Sequence, residues 1–329
     1  MTWPTVVFAW TTLLLGTGWA QAPVVRRPPP VEAGGGAQAP VGLGDDVPTI
    51  QVQTRLVNVP VTVVDAGGLP VGGLTRGDFA VSEDGRPQKI AIFERESETP
   101  LSIVLSIDAS ETVLTSERLE REAAKHFVRG LLRAQDEVDL MDFSDTVREI
   151  ISFTNDPKRI ETGLGELQRG SETALYDAVY LGSERLGQTR TDGGRRRVLV
   201  LISDGGDSKN KASYEQAVEQ AQRAGVTVFA IIIVPIAADA GRNTGGEHAL
   251  IQMADDTGGR YYYVDDPRKL DAAFSKVSDD LRTQYVLGYY APRGSRDASF
   301  RRLTVSLTDV SLAGTDTLRY RKGYYIDGR

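Results

Sequence analysis

An apolar run of mostly branched residues, Ile103-Val104-Leu105-Ser106-Ile107, ends abruptly in one carboxylate and two hydroxyls at alternating positions, Asp108, Ser110 and Thr112. A run of this length and composition is typical of a strand that is buried on both faces of a sheet. The three polar side chains then leave the carboxyl end of the strand, which is where open α/β sheets bind ligands. Carboxylate and hydroxyl oxygens crowded together suit Mg²⁺. The stretch therefore predicts a metal-binding edge of an α/β sheet.

The same residues also have an ordinary structural interpretation. Asp and Ser commonly cap the helix that follows a strand, by accepting a hydrogen bond from its first turn. Asp108 or Ser110 in that role would bind no ion. The choice between the two interpretations depends on whether other parts of the chain supply matching segments.

Two later segments have a related form. One is the segment from Gly170 to Ala178, which includes Ser171 and Thr173 and in which a helix is predicted to start. Further on, the apolar run Val198–Ile202 ends in Ser203-Asp204-Gly205-Gly206, again a strand that ends in a carboxylate. Thr173 and Asp204 are the candidate metal ligands of these segments, although Ser171 and Thr173 could also serve only as helix caps.

Taken in order, the three segments resemble the D-x-S-x-S, threonine and S-D-G segments of the metal-ion-dependent adhesion site (MIDAS) in von Willebrand factor type A (VWFA) domains. Thr112 stands where the family pattern has Ser, which keeps the hydroxyl but adds a methyl group that narrows the site. The resemblance implies that Ser110, Thr112 and Thr173 supply hydroxyl oxygens to Mg²⁺, with Mn²⁺ or Ca²⁺ as alternatives. It also implies that Asp108 and Asp204 act mainly through bound waters, and that one coordination position stays open for an Asp or Glu of a protein partner.

The pattern between residues 99 and 283 alternates between strands and helices. Residues Leu119, Ala123, Phe127 and Leu131 recur every four positions, as expected for the buried face of a helix. Repeated alternation of this kind predicts a mostly parallel, doubly wound, Rossmann-like sheet with helices on both faces. The resemblance to VWFA domains covers the same range.

Strand-like segments flank this α/β unit, at residues 48–98 and 284–329. Neither flank has enough strands to bury a core of its own. We therefore predict that the two flanks pair into one β-sandwich, with the α/β unit inserted between them. This layout resembles that of bacterial secreted proteins with a VWFA-related domain.

The N-terminus has the features of an export signal. An apolar run at Val6–Leu15 is followed by Ala20-Gln21-Ala22, an A-x-A cleavage pattern. We predict a signal peptide at residues 1–20, with an uncleaved anchor as the alternative, and a Pro/Gly-rich disordered linker at 21–47. The expected location is the periplasm or the cell exterior, with no membrane span after cleavage.

Composition excludes several classes of function. The chain has no Cys and only two His residues, which rules out thiolate metal sites and leaves little room for zinc enzymes or His-based triads. A net charge of -7 without a basic tract argues against nucleic acid as a partner. We expect a protein without enzymatic activity that uses its cation for protein–protein interaction or adhesion. The alternatives are a structural envelope module with a stabilising metal site and, less favoured, a Mg²⁺-dependent hydrolase.

Overall fold

The computed structural model describes residues 54–95, 99–110, 117–189, 195–234, 243–292, 300–309 and 316–326. The predicted signal peptide and linker lie outside these residues, and so does Thr112. Within them, no helix has the length and apolar character needed to span a bilayer.

Strands and helices follow one another along the chain in the predicted pattern. The strands are β1 (Thr54–Val64), β2 (Phe79–Glu83), β3 (Arg86–Gln88), β4 (Ile92–Glu94), β5 (Leu101–Asp108), β6 (Glu137–Phe143), β7 (Val147–Thr154), β8 (Arg196–Ser203), β9 (Val226–Ile233), β10 (Tyr261–Val264), β11 (Tyr285–Pro292), β12 (Phe300–Leu307), β13 (Thr317–Arg319) and β14 (Gly323–Tyr325). The helices are α1 (Glu117–Leu131), α2 (Pro157–Gly163), α3 (Leu175–Gly187), α4 (Tyr214–Ala224), α5 (Thr244–Thr257) and α6 (Leu270–Thr283).

The central sheet has the strand order β10-β9-β8-β5-β6-β7. Its strands pair in parallel except for β7, which returns from β6 as an antiparallel hairpin partner. Strand β5 lies in the interior of this sheet and is buried along its whole length. The predicted doubly wound, mostly parallel sheet is therefore confirmed.

Helices cover both faces of the central sheet because its strands carry apolar side chains on both faces. On one face, Ile103 and Leu105 of β5 pack in a core with α1, α2 and α6. On the other face, Val104 packs in a core with α3, α4 and α5. Burying each such side chain contributes about 1.5–3 kcal/mol, so a strand with this composition is stable only between two helical layers.

The flanking strands form two further sheets, with the orders β13-β1-β11-β4 and β14-β12-β2-β3. Each sheet combines strands from both ends of the chain: β1 pairs with β11 and β13 in one, and β2 pairs with β12 in the other. Inward-facing residues of both sheets, including Val59, Val61, Phe79, Leu287 and Val305, share one apolar core. The predicted sandwich built from N- and C-terminal strands is confirmed as part of the fold.

A buried carboxylate ties the two sheets of the sandwich together. Glu83 of β2 accepts hydrogen bonds from the hydroxyls of Tyr289 on β11 and Tyr324 on β14. Since an unpaired carboxylate is costly in such a core, these two tyrosines are part of what makes the core possible. They come from the C-terminal flank, whereas Glu83 comes from the N-terminal one.

We predict that residues 48–98 do not fold as an isolated fragment, because all described neighbours of β1 and β4 belong to the C-terminal flank. The fragment should show the narrow amide proton chemical-shift dispersion of an unfolded chain in a ¹H–¹⁵N NMR spectrum. Adding a peptide of residues 284–329 is the informative comparison, since it supplies the missing strands. A dispersed spectrum from residues 48–98 alone would refute the shared core.

Candidate metal centre

Asp108 is the last residue of β5, and its side chain is completely buried. One carboxylate oxygen, Oδ1, accepts a hydrogen bond from the backbone N–H of Ser110 at 2.9 Å. The other, Oδ2, accepts from the hydroxyl of Ser203 at 2.6 Å. Ser203 ends β8, the strand beside β5. The two neighbouring strands therefore end in a carboxylate and the hydroxyl that holds it.

The environment of Asp108 disfavours its charge. Burial raises the pKa of Asp108 to about 6, against the hydrogen bonds from Ser110 and Ser203 that favour the ionised form. The negative charge of Asp204 raises the pKa further, which places the two carboxylates within electrostatic reach of each other. A cation between them would favour the ionised form of Asp108.

The second predicted segment lies directly against the first. Ser110 forms an isolated parallel bridge with Gly170, and the Gly170 N–H donates to the carbonyl of Ala109 at 3.2 Å. Only glycine fits there, because a Cβ atom would lie 2.5 Å from the Ser144 hydroxyl. Ser144 and Asp145 follow the end of β6, so the carboxyl ends of β5 and β6 jointly position this segment.

Thr173 is buried, and its main chain is held by the segment that follows Asp204. Its N–H donates to the Ser208 hydroxyl at 2.9 Å, and its carbonyl accepts from the Ser208 N–H at 3.0 Å. Helix α3 begins at Leu175 with Ala174 as its N-cap, and the Tyr176 N–H is capped by the Asn210 side chain at 2.9 Å. The alternative in which Ser171 and Thr173 only cap this helix is therefore wrong, since neither occupies the N-cap.

Asp204 and Thr173 face the same small space beside Gly206. The Gly206 N–H donates to Asp204 Oδ1 at 2.7 Å. A Cβ atom added to Gly206 would lie 3.0 Å from that oxygen and 3.2 Å from the Thr173 hydroxyl oxygen. Because Gly206 has no side chain, the Asp204 Oδ1 and Thr173 hydroxyl oxygens, which come from different segments, border the same open space.

Four of the five predicted ligands are thus brought together from three segments of the chain: Asp108, Ser110, Thr173 and Asp204. Each of them is more than nine-tenths buried. The described residues contain no group of three or more acidic or histidine side chains that could hold a metal ion. An ion at this edge must therefore take hydroxyl oxygens as well as the two carboxylates, a donor set that fits a hard cation such as Mg²⁺.

The backbone conformation after Asp204 requires a glycine at position 205. Gly205 has a φ of +81°, in the left-handed region that favours glycine. It also packs against the first turn of α5, where a Cβ atom would lie 2.7 Å from the Glu247 nitrogen. This close approach lets the chain turn sharply after β8 and keeps Asp204 at the edge of the sheet.

Several residues support the site without having been singled out from the sequence. Ser203 holds Asp108, Ser208 holds Thr173, and Asn210 caps α3. Asp145 accepts a hydrogen bond from the Glu172 N–H at 3.1 Å and so fixes the approach to Thr173. The polar ends of β6 and β8 were the only sequence signal for these roles.

The match to known families agrees with this geometry. Residues 102–276 match the family described as von Willebrand factor type A domain, which is more than half of the 329 residues. The chain therefore belongs to the von Willebrand factor type A domain family. Domains of this family commonly bind a divalent metal ion at a MIDAS. No curated protein matches the chain.

The chain is also similar to several solved structures. An aerotolerance-related membrane protein from Bacteroides fragilis NCTC 9343 is 18% identical, with a TM-score of 0.42 over 54% of this chain and 98% of that chain. The SpRpn10 VWA domain is 14% identical, with a TM-score of 0.42 over 54% of this chain and 94% of that one. Proximal thread matrix protein 1 from the mussel byssus, with a zinc-occupied MIDAS motif, is 15% identical. Its TM-score is 0.46 over 61% of this chain and 49% of that chain. At this level of similarity no property of these proteins is transferred to this chain.

We predict that Ser203→Ala lowers the free energy of unfolding by about 1–3 kcal/mol, because it removes a hydrogen bond to a buried carboxylate. Ser106→Ala is the matched control: Ser106 is also fully buried in the central sheet, but its hydroxyl has no hydrogen-bond partner among the described residues. Urea unfolding of both variants at neutral pH makes the comparison. Equal losses in the two variants would contradict the role assigned to Ser203.

Proposed function

We propose that the chain binds a divalent cation, Mg²⁺ by preference, between Asp108, Ser110, Thr173 and Asp204. Thr112, which lies outside the described residues, is the fifth proposed ligand. The observation that carries the proposal is the convergence of Asp204 Oδ1 and the Thr173 hydroxyl on one space beside Gly206. We further propose that the ion uses an open coordination position to bind an Asp or Glu carboxylate of a protein partner.

The charge of the donor set supports an anionic partner group. Its hydroxyls are neutral, and Asp108 already accepts hydrogen bonds through both of its oxygens. Mg²⁺ binds few protein carboxylates directly and retains waters that an incoming ligand can replace. A carboxylate entering from outside would replace one of these waters and add an anionic ligand to the neutral hydroxyls.

A binding role is also favoured over a purely structural metal. Protein groups alone hold the three segments together, through the Ser203 hydrogen bond to Asp108, the Gly170 bond to Ala109 and the Ser208 bonds to Thr173. A fold secured in this way does not need the ion as a cross-link. The ion is then available for recognition.

We do not propose catalysis. The two carboxylates at the site are occupied by hydrogen bonds from neighbouring groups: Asp108 from Ser110 and Ser203, and Asp204 from Gly206. Asp108, whose two oxygens both accept hydrogen bonds, is not placed to act as the general base that a hydrolase needs. The N-terminal sequence pattern supports export, and we place the interaction or adhesion in the periplasm or outside the cell.

Thr173→Val should weaken Mg²⁺ binding by about tenfold or more, because it removes a ligand oxygen and keeps the shape of the side chain. Thr173→Ser should retain most of the affinity, since it keeps the hydroxyl. Isothermal titration with Mg²⁺, Mn²⁺ and Ca²⁺ measures both variants and ranks the ions. Unchanged binding in Thr173→Val would remove this residue from the site.

Capture of a partner should depend on the ion. The wild-type chain immobilised in Mg²⁺ is expected to retain a protein from an envelope extract, and to release it in EDTA. Asp204→Asn should retain none, while Asp271→Asn, which alters an exposed carboxylate on α6, should behave as wild type. Retention that is equal in EDTA would show that recognition does not pass through the metal. Ion binding without any captured partner would favour the structural alternative.

A further inference from the structure

A basic cleft lies at the end of β8 opposite to the metal centre, where the α/β unit meets the sandwich. One cavity of 230 Å³ is lined by Arg195, Arg196 and Arg197 at the start of β8, by Asn58 of β1, and by Arg321. An adjoining cavity of 480 Å³ shares several of these residues and extends to Arg55, Arg223, Tyr324 and Tyr325. We call the two cavities together the basic cleft.

The charges lining the basic cleft are strongly unbalanced. Among the described residues that line it there are six arginines and one carboxylate, Glu94. The chain as a whole carries a net charge of -7. The basic cleft is therefore a local exception to the acidic character of the protein.

Four of the six arginines have no acidic partner within the part of the chain that the structure describes. Arg195 forms a salt bridge with Glu137, and Arg223 forms one with Glu219. The other four, Arg55, Arg196, Arg197 and Arg321, form no salt bridge with any carboxylate of the described residues. Asp136 and Glu94 act on Arg196 only at longer range.

The hydrogen bonds of the unpaired arginines go to neutral groups. Arg196, of which 8% is exposed, donates to the Gln284 side chain at 2.8 Å and to the Leu281 carbonyl at 2.5 Å. Arg321 donates to the Asn58 carbonyl at 2.7 Å. The Nε atoms of both arginines are buried without a hydrogen-bond partner among the described residues. Burial lowers the pKa of Arg196 to about 10, so it remains charged at neutral pH.

Helix ends balance part of this charge. Arg197 donates to the carbonyls of Gly187 and Ala224, at the C-terminal ends of α3 and α4, and Leu281 lies in the last turn of α6. A helix C-terminus is equivalent to about half a negative charge. This accounts for the position of Arg196 and Arg197, and the Arg321 guanidinium also lies close to Gly225 at the C-terminal end of α4. Four unpaired guanidinium groups still exceed the partial charges of three helix ends and the one carboxylate among the described lining residues, Glu94. A net positive charge remains.

We propose that the basic cleft binds the oxyanion group, phosphate or carboxylate, of a small molecule. Guanidinium groups present paired N–H donors that match both kinds of oxyanion. The size of the cavities suits a small ligand rather than a polymer, and the acidic charge of the rest of the chain repels polyanions. Tyr325, which is half-buried, adds aromatic surface beside the arginines. The Arg223 guanidinium lies 4.3 Å from its ring, and the Arg321 guanidinium lies 5.3 Å from the ring of the buried Tyr324.

The test uses the full chain without metal. The metal is removed with a chelating resin and not with EDTA, because EDTA is a polycarboxylate that would compete for the basic cleft. Inorganic phosphate and citrate are titrated separately by calorimetry at low ionic strength, with chloride matched throughout. We expect saturable binding of at least one of them at one site per chain. Binding of phosphate alone or of citrate alone supports the proposal and identifies the oxyanion. Absence of binding by both overturns it.

Arginine variants test whether the anion binds in the basic cleft. Arg321→Gln and Arg55→Gln should each weaken affinity by about tenfold or more, the loss expected for a charged hydrogen-bonding group. Arg159→Gln, which removes an exposed cation from α2, is the matched control and should leave affinity unchanged. Arg55 is exposed, with its guanidinium 6.0 Å from the Tyr324 ring, so its variant tests the proposal even if Arg321→Gln does not fold. An equal loss in Arg159→Gln would show general electrostatic attraction and overturn the site.

Discussion

The hydrogen bond from Ser203 to Asp108 is the contact on which the metal centre depends. A carboxylate with no exposed surface is costly to bury unless its oxygens are satisfied. Asp108 meets this condition because β5 and β8 pair in parallel, with Ile107 opposite Ile202, so that both strands end at the same level. The register of two apolar strands thus fixes the distance between a carboxylate and its hydroxyl partner. The segment that leads to Thr173 then packs against the end of β5 through the bridge between Ser110 and Gly170.

The fold also separates two chemically different regions. The carboxyl ends of β5 and β8 carry oxygen donors and two acidic side chains. The amino end of β8 carries Arg195, Arg196 and Arg197, which face the C-terminal ends of helices and the strands of the sandwich. Parallel strands connected by helices produce this polarity. The carboxyl ends of the parallel strands lie at one edge of the sheet, and the C-termini of the connecting helices lie at the other. Acidic and basic functions can then occupy one small unit without neutralising each other.

The sequence was informative where the signal was local and periodic. The apolar runs of β5 and β8 predicted buried strands, and the polar residues that follow them predicted the position of Asp108 and Asp204. The pairing of the two flanks followed from a simple argument: each flank alone has too few strands for a core. The strand order, in which β1 lies between β11 and β13, could not be read from these patterns, since alternation does not specify a neighbour.

The features that the sequence did not predict depend on contacts between residues that are far apart along the chain. Asn210, which caps α3, lies 34 residues beyond Tyr176, whose N–H it binds. The basic cleft combines Arg55, Arg196 and Arg321 from three remote parts of the chain. In the sequence each of these arginines resembles an ordinary surface residue, and even the run Arg195-Arg196-Arg197 is too short to count as a basic tract. Only the folded chain shows that their charges accumulate in one place.

The central claim is that a divalent ion lies between the hydroxyls and carboxylates at the carboxyl edge of the central sheet. Anomalous diffraction from crystals grown with Mn²⁺ tests it most directly, because the signal locates the ion without assumptions about its ligands. The account predicts one anomalous peak at coordination distance from the hydroxyl oxygens of Ser110 and Thr173, with Asp108 and Asp204 beside it. A crystal saturated with Mn²⁺ that shows no peak there, or a peak only at another group of carboxylates, would contradict it.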